Sequence, residues 1–291
     1  SEGAKASPFG YEYKFDVCYL LCEEGATINC DCRNLLTSQP NQMRHFSAML
    51  MLMASAVLFS QEDCDLFNIQ GLAAENLSQQ AQIDALSCYA GVEMDGYRYT
   101  GVPIGDQCWF AENLRTTVYA DGSAIPEVTD DAAWSGLSAG AHCYYDNDNS
   151  RPHGYGRMYN WYAVDDARGL CPSGWHVPTD GEWTELEIYL GANGQSGTEG
   201  AALKSMSGWG DGFGDGGYGT DAFGFSALPG GNRYSNVGFF DNAGDSGYWW
   251  SSSPSGGDAW YRALYISYPA ISRNSLNPRY GFSVRCLRDA D

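Results

Sequence analysis

The chain has 291 residues and a formal net charge of −20 at pH 7. Because binding nucleic acid requires a basic surface, this charge argues against a nucleic-acid partner. Aromatic residues make up 14% of the chain and glycines number 36, which predicts a well-packed core of short strands joined by tight turns.

Residues 43–60 have the layout of a secretory signal peptide. A basic start at residues 43–45 precedes an apolar run at residues 46–59 that only two serines interrupt. This run is shorter than the roughly 20 residues that a membrane-spanning helix needs, so we expect cleavage near Ser60 and no transmembrane span in the mature protein. Residues 1–42 are then expected to be translated leader, absent from a secreted or surface-displayed mature protein. A cytosolic tail with an uncleaved anchor is the alternative.

Six cysteines follow the expected signal peptide. They are Cys64, Cys88, Cys108, Cys143, Cys171 and Cys286. An even number of cysteines in an exported chain predicts a disulfide framework. Nearness along the chain favours pairing the first with the second and the third with the fourth, which leaves Cys171 to join Cys286. Sequence alone does not settle this connectivity, and buried free thiols are the alternative for some of the six.

The first part of the expected mature chain, residues 61–96, predicts a spacer. Residues 72–86 place leucine and isoleucine among alanine, glutamine and glutamate at the spacing of a modest amphipathic helix. From Tyr97 onward the chain becomes aromatic and glycine-rich, and residues 107–110 predict the first strand of the main domain.

The clearest helix of the sequence begins after Thr179. This threonine is the predicted N-cap, and Glu182 follows three residues later at the spacing of a capping box. Trp183 and Leu186 lie on one face of the predicted helix, and Gly191 ends it.

Strand candidates separated by glycine-rich turns follow this helix. They are residues 223–228, 247–253, 259–268 and 280–287.

Five segments of the chain are distinctive as motifs. They are QCWFAENLR at 107–115, the run at 159–183 that ends in CPSGWHVPTDGEW, GFSALPGG at 224–231, GYWWSSS at 247–253 and YGFSVRCLRD at 280–289. In this order they resemble the Fibrobacter succinogenes major paralogous domain family over residues 97–290. That family is similar to the formylglycine-generating-enzyme and C-type-lectin-like folds. The resemblance implies an exported bacterial protein with a loop-rich, disulfide-stapled α+β domain of short antiparallel strands and few helices, and it brings no established activity.

The residues give little support for catalysis. A formylglycine-generating enzyme needs reactive cysteines near its last strands, and Cys286, which we assign to a structural bridge, is the only cysteine in that region. No catalytic residue is therefore assigned.

A ligand site is expected around the glycine-rich stretch at residues 209–219, which predicts a long surface loop. Tyr218, Arg233 and Trp250 are the residues we expect to stack on or hydrogen-bond to a polar ligand.

The same region raises the question of a metal. Asp211, Asp215 and Asp221 could offer oxygen ligands to calcium, although solvated turns are the favoured explanation for these aspartates. No cofactor is expected, and calcium is the alternative that stays open.

These features favour an exported, non-catalytic binding or surface module whose partner is an extracellular glycan or protein. Two alternatives remain: an enzyme on a formylglycine-generating-enzyme-like scaffold, and a structural surface protein without a small ligand.

Overall fold

The computed structural model describes residues 77, 79–148, 154–210 and 219–288. These residues fall almost entirely within one compact unit, Gln80–Asp291. The expected leader and signal peptide, together with Cys64, lie outside the described residues. Each helix in the described part is too short or too polar to cross a bilayer.

Few helices are present, and most are short. In chain order they are α1 (residues 79–89), α2 (Asp131–Ser135), α3 (Trp161–Val164), α4 (Asp180–Leu190) and α5 (Glu199–Leu203). One turn of 3₁₀ helix covers Tyr145–Asn147, and a π-helical turn at Gly191–Gln195 follows α4.

Thirteen strands are formed by the described residues. They are β1 (Val92–Met94), β2 (Tyr97–Tyr99), β3 (Gly101–Ile104), β4 (Gln107–Phe110), β5 (His142–Cys143), β6 (Met158–Tyr159), β7 (Trp175–His176), β8 (Gly230–Arg233), β9 (Phe240–Ala243), β10 (Ser246–Ser255), β11 (Asp258–Tyr265), β12 (Tyr268–Leu276) and β13 (Leu287–Arg288).

The strands form four sheets. The largest has the order β12-β11-β10-β8-β9, the second has the order β3-β4-β13-β7, and β1-β2 and β5-β6 are separate pairs. Every neighbouring pair is antiparallel except β8 and β10, which meet in parallel where Gly231 lies opposite Gly247. The fold is therefore a mixed α+β domain with antiparallel sheets and few helices, as the resemblance implied.

Helix α4 forms where its capping box predicts. The Thr179 hydroxyl accepts a hydrogen bond from the Glu182 amide at 3.2 Å, and the Glu182 carboxylate accepts one from the Thr179 amide at 2.7 Å. The two bonds satisfy backbone donors that would otherwise lack partners at the helix start. Trp183 and Leu186 are buried on the inner face, and Gly191 is the C-cap.

The prediction of a strand at residues 223–228 is wrong. Only Ala227 pairs there, in a single bridge with Lys204. The Asp221 carboxylate accepts hydrogen bonds from the amide of Ser226 at 2.7 Å and from its hydroxyl at 2.5 Å. These bonds close a turn, and the positive φ of 51° at Ser226 is incompatible with an extended strand.

The last two predicted strands are also divided differently. Within residues 259–268, β11 ends at Tyr265 and a tight turn leads into β12 at Tyr268. Within residues 280–287, residues 281, 282 and 283 make single bridges with β8, β6 and β10 in turn. This segment crosses three strands, so it cannot run alongside any one of them.

The core is divided into three apolar clusters, and β10 contributes to two of them. Trp249 packs in the cluster that contains Trp109 and Trp183, while Trp250 packs in the cluster that contains Phe282. Successive side chains of a strand point to opposite faces, so these neighbouring rings enter different clusters. Both faces of β10 are therefore covered. The third cluster surrounds Trp134.

Two disulfides staple the domain. The expected Cys171–Cys286 bond is present and joins the segment before β7 to the segment before β13. The expected pairings Cys64–Cys88 and Cys108–Cys143 are wrong, because Cys88 bonds to Cys108 instead. The β3–β4 hairpin explains this outcome, since it carries Cys108 back to the end of α1. Cys143 is a buried free thiol on β5.

Candidate functional site

Arg233, an expected ligand contact, is a buried structural clamp. Its guanidinium and Nε donate to the carbonyl oxygens of Val128 at 2.6 Å and Gly238 at 2.8 Å, and to the Asp131 carboxylate at 2.9 Å. The cation also lies 4.5 Å from the centre of the Trp134 ring. Because the side chain is fully buried, the prediction that Arg233 contacts a ligand is wrong.

Trp250 is likewise unavailable to a ligand. Its ring is fully buried against Phe282, with the ring centres 4.4 Å apart, and its Nε1 donates to the Tyr159 carbonyl oxygen at 2.9 Å. The prediction that it stacks on a ligand is wrong, because both faces of β10 pack into the core.

The expected calcium site is only partly within the described residues. Asp211, Asp215 and Tyr218 lie outside them. Asp221 is described, and its carboxylate is engaged in the turn to Ser226. No three His, Cys, Asp or Glu residues in the described ranges come together as metal ligands.

A different feature forms an open site. Helix α3 and the turn after it face the extended segment that follows α2, and a cleft of about 430 Å³ lies between them. This volume is within the roughly 300–1,000 Å³ of small-ligand sites. We call it the Tyr162 cleft. The residues that line it include Ser138, Gly140, Tyr162, Asp165, Asp166 and Arg168.

Asn160 joins the two walls of the cleft. As N-cap of α3, its side-chain oxygen accepts from the Ala163 amide at 3.1 Å and also from the Ala141 amide at 3.0 Å. Its side-chain nitrogen donates to the Ala139 carbonyl oxygen at 2.8 Å. Since Asn160 is fully buried, these bonds fix the distance between Tyr162 on one wall and the opposite wall.

A charged pair forms the floor of the cleft. The Arg168 guanidinium donates to both carboxylate oxygens of Asp166, at 2.8 and 2.7 Å, and also to the Ser123 hydroxyl at 3.0 Å. The Arg168 cation lies 3.8 Å from the centre of the Tyr119 ring. Hydrogen bonds from Arg168 lower the pKa of Asp166 to about 2, so the pair is ionised at neutral pH. Both groups are thus held in position before any ligand binds.

The Tyr119 hydroxyl is a buried polar group at this floor. Tyr119 is 1% exposed, and among the described residues its hydroxyl makes no well-formed hydrogen bond, although the Asp166 carboxylate lies close enough to interact with it. Burial raises the pKa of Tyr119, and the nearby Asp166 carboxylate raises it further. The hydroxyl lies directly behind Gly140, where a Cβ atom would come within 2.1 Å of it. Only glycine at this position leaves room for both the hydroxyl and the cleft.

A second pocket lies near the 3₁₀ turn and has a volume of about 130 Å³. It is lined by Arg115, Tyr144, Tyr145, Asp148 and Tyr155. Because it is smaller than typical ligand sites, the Tyr162 cleft is the better candidate.

Sequence reasoning missed the residues of this cleft. Four of them, Tyr162, Asp165, Asp166 and Arg168, lie within the motif at 159–183 that carries the family resemblance. The sequence signal that could have found them is Asn160, a strong N-cap residue that begins a very short helix ending in a polar turn.

The fold and the cleft together define a disulfide-stapled α+β domain with an open polar site. The model of the Fibrobacter succinogenes major domain family matches residues 102–288, and the chain belongs to that family. No curated protein and no solved structure matches the chain significantly.

Proposed function

We propose that this protein is an exported, non-catalytic binding module that recognises a neutral glycan in the Tyr162 cleft. The observation that carries the proposal is the partly exposed Tyr162 ring beside the preformed Asp166–Arg168 pair. A sugar presents C–H groups on its ring face and hydroxyls around its edge. The tyrosine ring can stack on the C–H groups of the ring face. A carboxylate beside a guanidinium can accept from and donate to the hydroxyls.

The charge of the molecule favours a neutral ligand. A net charge of −20 repels sulfated or uronic-acid polymers at long range. Within the cleft, Asp165 and Asp166 outnumber Arg168, so an anionic sugar gains no compensating attraction there.

Export is supported by the two disulfides, because such bonds persist mainly in oxidising compartments. The signal-like residues 43–60 point the same way. N-terminal sequencing of the secreted protein should begin near Gln61, and recovery of exported protein that retains residues 1–42 would contradict this.

We also propose that the domain is similar to the C-type-lectin-like and formylglycine-generating-enzyme-like folds. The capped helix α4 and the segment leading into β13, which carry this wider likeness in the sequence, lie within a loop-rich α+β domain.

The enzyme alternative is less well supported by the described thiols. Cys171 and Cys286 are bonded to each other, and burial raises the pKa of Cys143 to about 12. A protonated, buried thiol is a poor nucleophile and a poor copper ligand.

The proposal is tested by screening the full chain on an array of neutral and acidic glycans. Binding to neutral glycans is expected, and Tyr162→Ala should abolish it. Tyr268→Ala is the matched control, because Tyr268 is 49% exposed on β12 and does not line the cleft. The proposal fails if no glycan binds, or if Tyr162→Ala binds as well as the parent protein does.

A further inference from the structure

We infer that the glycan extends beyond the Tyr162 cleft onto a second aromatic platform, formed by Tyr234 and Tyr280, so that the ligand is an oligosaccharide rather than a single sugar. This inference rests on the proposed function. Tyr234 and Tyr280 do not line the cleft.

The chain between the cleft and the platform is short and is bonded to both cleft walls. The Pro278 carbonyl oxygen accepts from the Trp161 amide at 2.8 Å, next to Tyr162. The Arg279 Nε donates to the Leu137 carbonyl oxygen at 2.6 Å, next to the other wall. Tyr280 is the next residue, so the platform lies on a segment that is bonded next to both cleft walls.

The same segment is held firmly. The buried Trp134 ring donates through Nε1 to the Arg279 carbonyl oxygen at 2.8 Å, and the Tyr280 amide donates to the Asn277 carbonyl oxygen at 3.0 Å. The platform is therefore fixed relative to the cleft before a ligand binds.

The platform repeats the chemistry of the cleft. The rings of Tyr234 and Tyr280 lie with centres 5.7 Å apart at an angle of 57°, and both are partly exposed. The Tyr234 hydroxyl donates to the Asp241 carboxylate at 3.2 Å. Apolar ring faces thus lie beside a carboxylate, which is the combination that the Tyr162 cleft offers.

The test is a calorimetric titration of the full chain with neutral gluco-, manno- and xylo-oligosaccharides of one to six residues. For the series that binds, affinity should rise with chain length in the parent protein. Tyr234→Ala should remove this rise and weaken the longest ligand about 2- to 12-fold, the loss expected for one aromatic contact, while the shortest ligand that binds is unaffected.

Two further variants make the result specific. Tyr234→Phe keeps the ring and should keep the gain with length, which separates stacking from loss of fold. Tyr268→Ala should behave as the parent protein does. If Tyr234→Ala retains the full length dependence, the platform is overturned while the cleft stands. If no saccharide of any length binds, the proposed function itself fails.

Discussion

The side-chain nitrogen of Asn160 donates to the carbonyl oxygen of Ala139 at 2.8 Å, across the base of the Tyr162 cleft. With the bond that Asn160 accepts from the Ala141 amide, it links the helix that carries Tyr162 to the opposite wall. Cleft shape and domain stability therefore depend on the same buried amide.

Replacing Asn160 by alanine should lower the free energy of unfolding by about 2–3 kcal/mol, because the helix loses its N-cap side chain and the buried Ala141 amide loses its acceptor. The Ala163 amide keeps the Asn160 backbone oxygen as its acceptor. Urea denaturation measures the change. Asn274→Ala is the control, since Asn274 is exposed on β12, and should stay within about 0.5 kcal/mol of the parent protein. Equal stability of the two variants would contradict the bridging role.

Gly140→Ala should destabilise the domain by about 1–3 kcal/mol, because the added Cβ would lie 2.1 Å from the Tyr119 hydroxyl and 3.0 Å from the Ala163 Cα. Gly257→Ala is the matched control, since no atom lies within 4 Å of a Cβ built at Gly257. Thermal denaturation of the two variants should separate them clearly. If Gly140→Ala has the same melting temperature as Gly257→Ala, the tight packing behind the cleft is disproved.

Peptide mapping without reduction should recover Cys88–Cys108 and Cys171–Cys286 as cross-links. Cys143 should resist alkylation until the protein unfolds, because it is buried and its pKa is raised to about 12. A cross-link between Cys108 and Cys143, or rapid labelling of Cys143 in the native protein, would disprove this assignment.

The two bridges should differ in their contribution to stability. In the chain-entropy treatment, the bridge that spans 115 residues contributes about 4–5 kcal/mol and the bridge that spans 20 contributes about 3 kcal/mol. Paired cysteine-to-alanine variants, compared by urea denaturation, measure both. A larger loss of stability on removal of Cys88–Cys108 than on removal of Cys171–Cys286 would contradict the expectation.

Stability should fall as the pH drops from about 6.5 to about 4, because of His142. Burial and, to a smaller extent, the adjacent Arg157 cation lower the pKa of His142 to about 4. The imidazole Nδ1 lies 3.0 Å from an Arg157 nitrogen, which donates to it. Over this pH range the unfolded chain binds a proton that the folded protein does not, so acid favours unfolding, by about 2–3 kcal/mol at the end of the range.

His142→Gln should flatten the dependence of the urea midpoint on pH between these values. Asn274→Ala is the control, because Asn274 is exposed and does not titrate, and it should keep the dependence. An unchanged slope in His142→Gln would assign the acid sensitivity to other groups.

Local signals in the sequence predicted several elements well. The capping box at Thr179 predicted the start of α4, and the apolar run at 107–110 matches β4. These elements depend on neighbours a few residues away, which a sequence displays directly. The Cys171–Cys286 bond was predicted by elimination, although the pairing of the other cysteines was wrong.

The predicted site failed for a tertiary reason. Arg233 and Trp250 have the side chains of a ligand site, and only the fold shows that each is enclosed by segments distant in sequence. The residues of the Tyr162 cleft, in contrast, were not predicted, and the fold brings them together. Its two walls come from residues 138–140 and from α3 with its following turn, and no periodicity in the sequence indicates that Asn160 joins them.

The Cys171–Cys286 bond also determines how the domain tolerates proteases. It closes a covalent ring that contains α4, the five-stranded sheet and the Tyr234–Tyr280 platform. A single cut in any loop between the two cysteines opens this ring without releasing a fragment. The nicked molecule stays in one piece, keeps the cleft and the platform in one covalent unit, and separates into two chains only under a reducing agent.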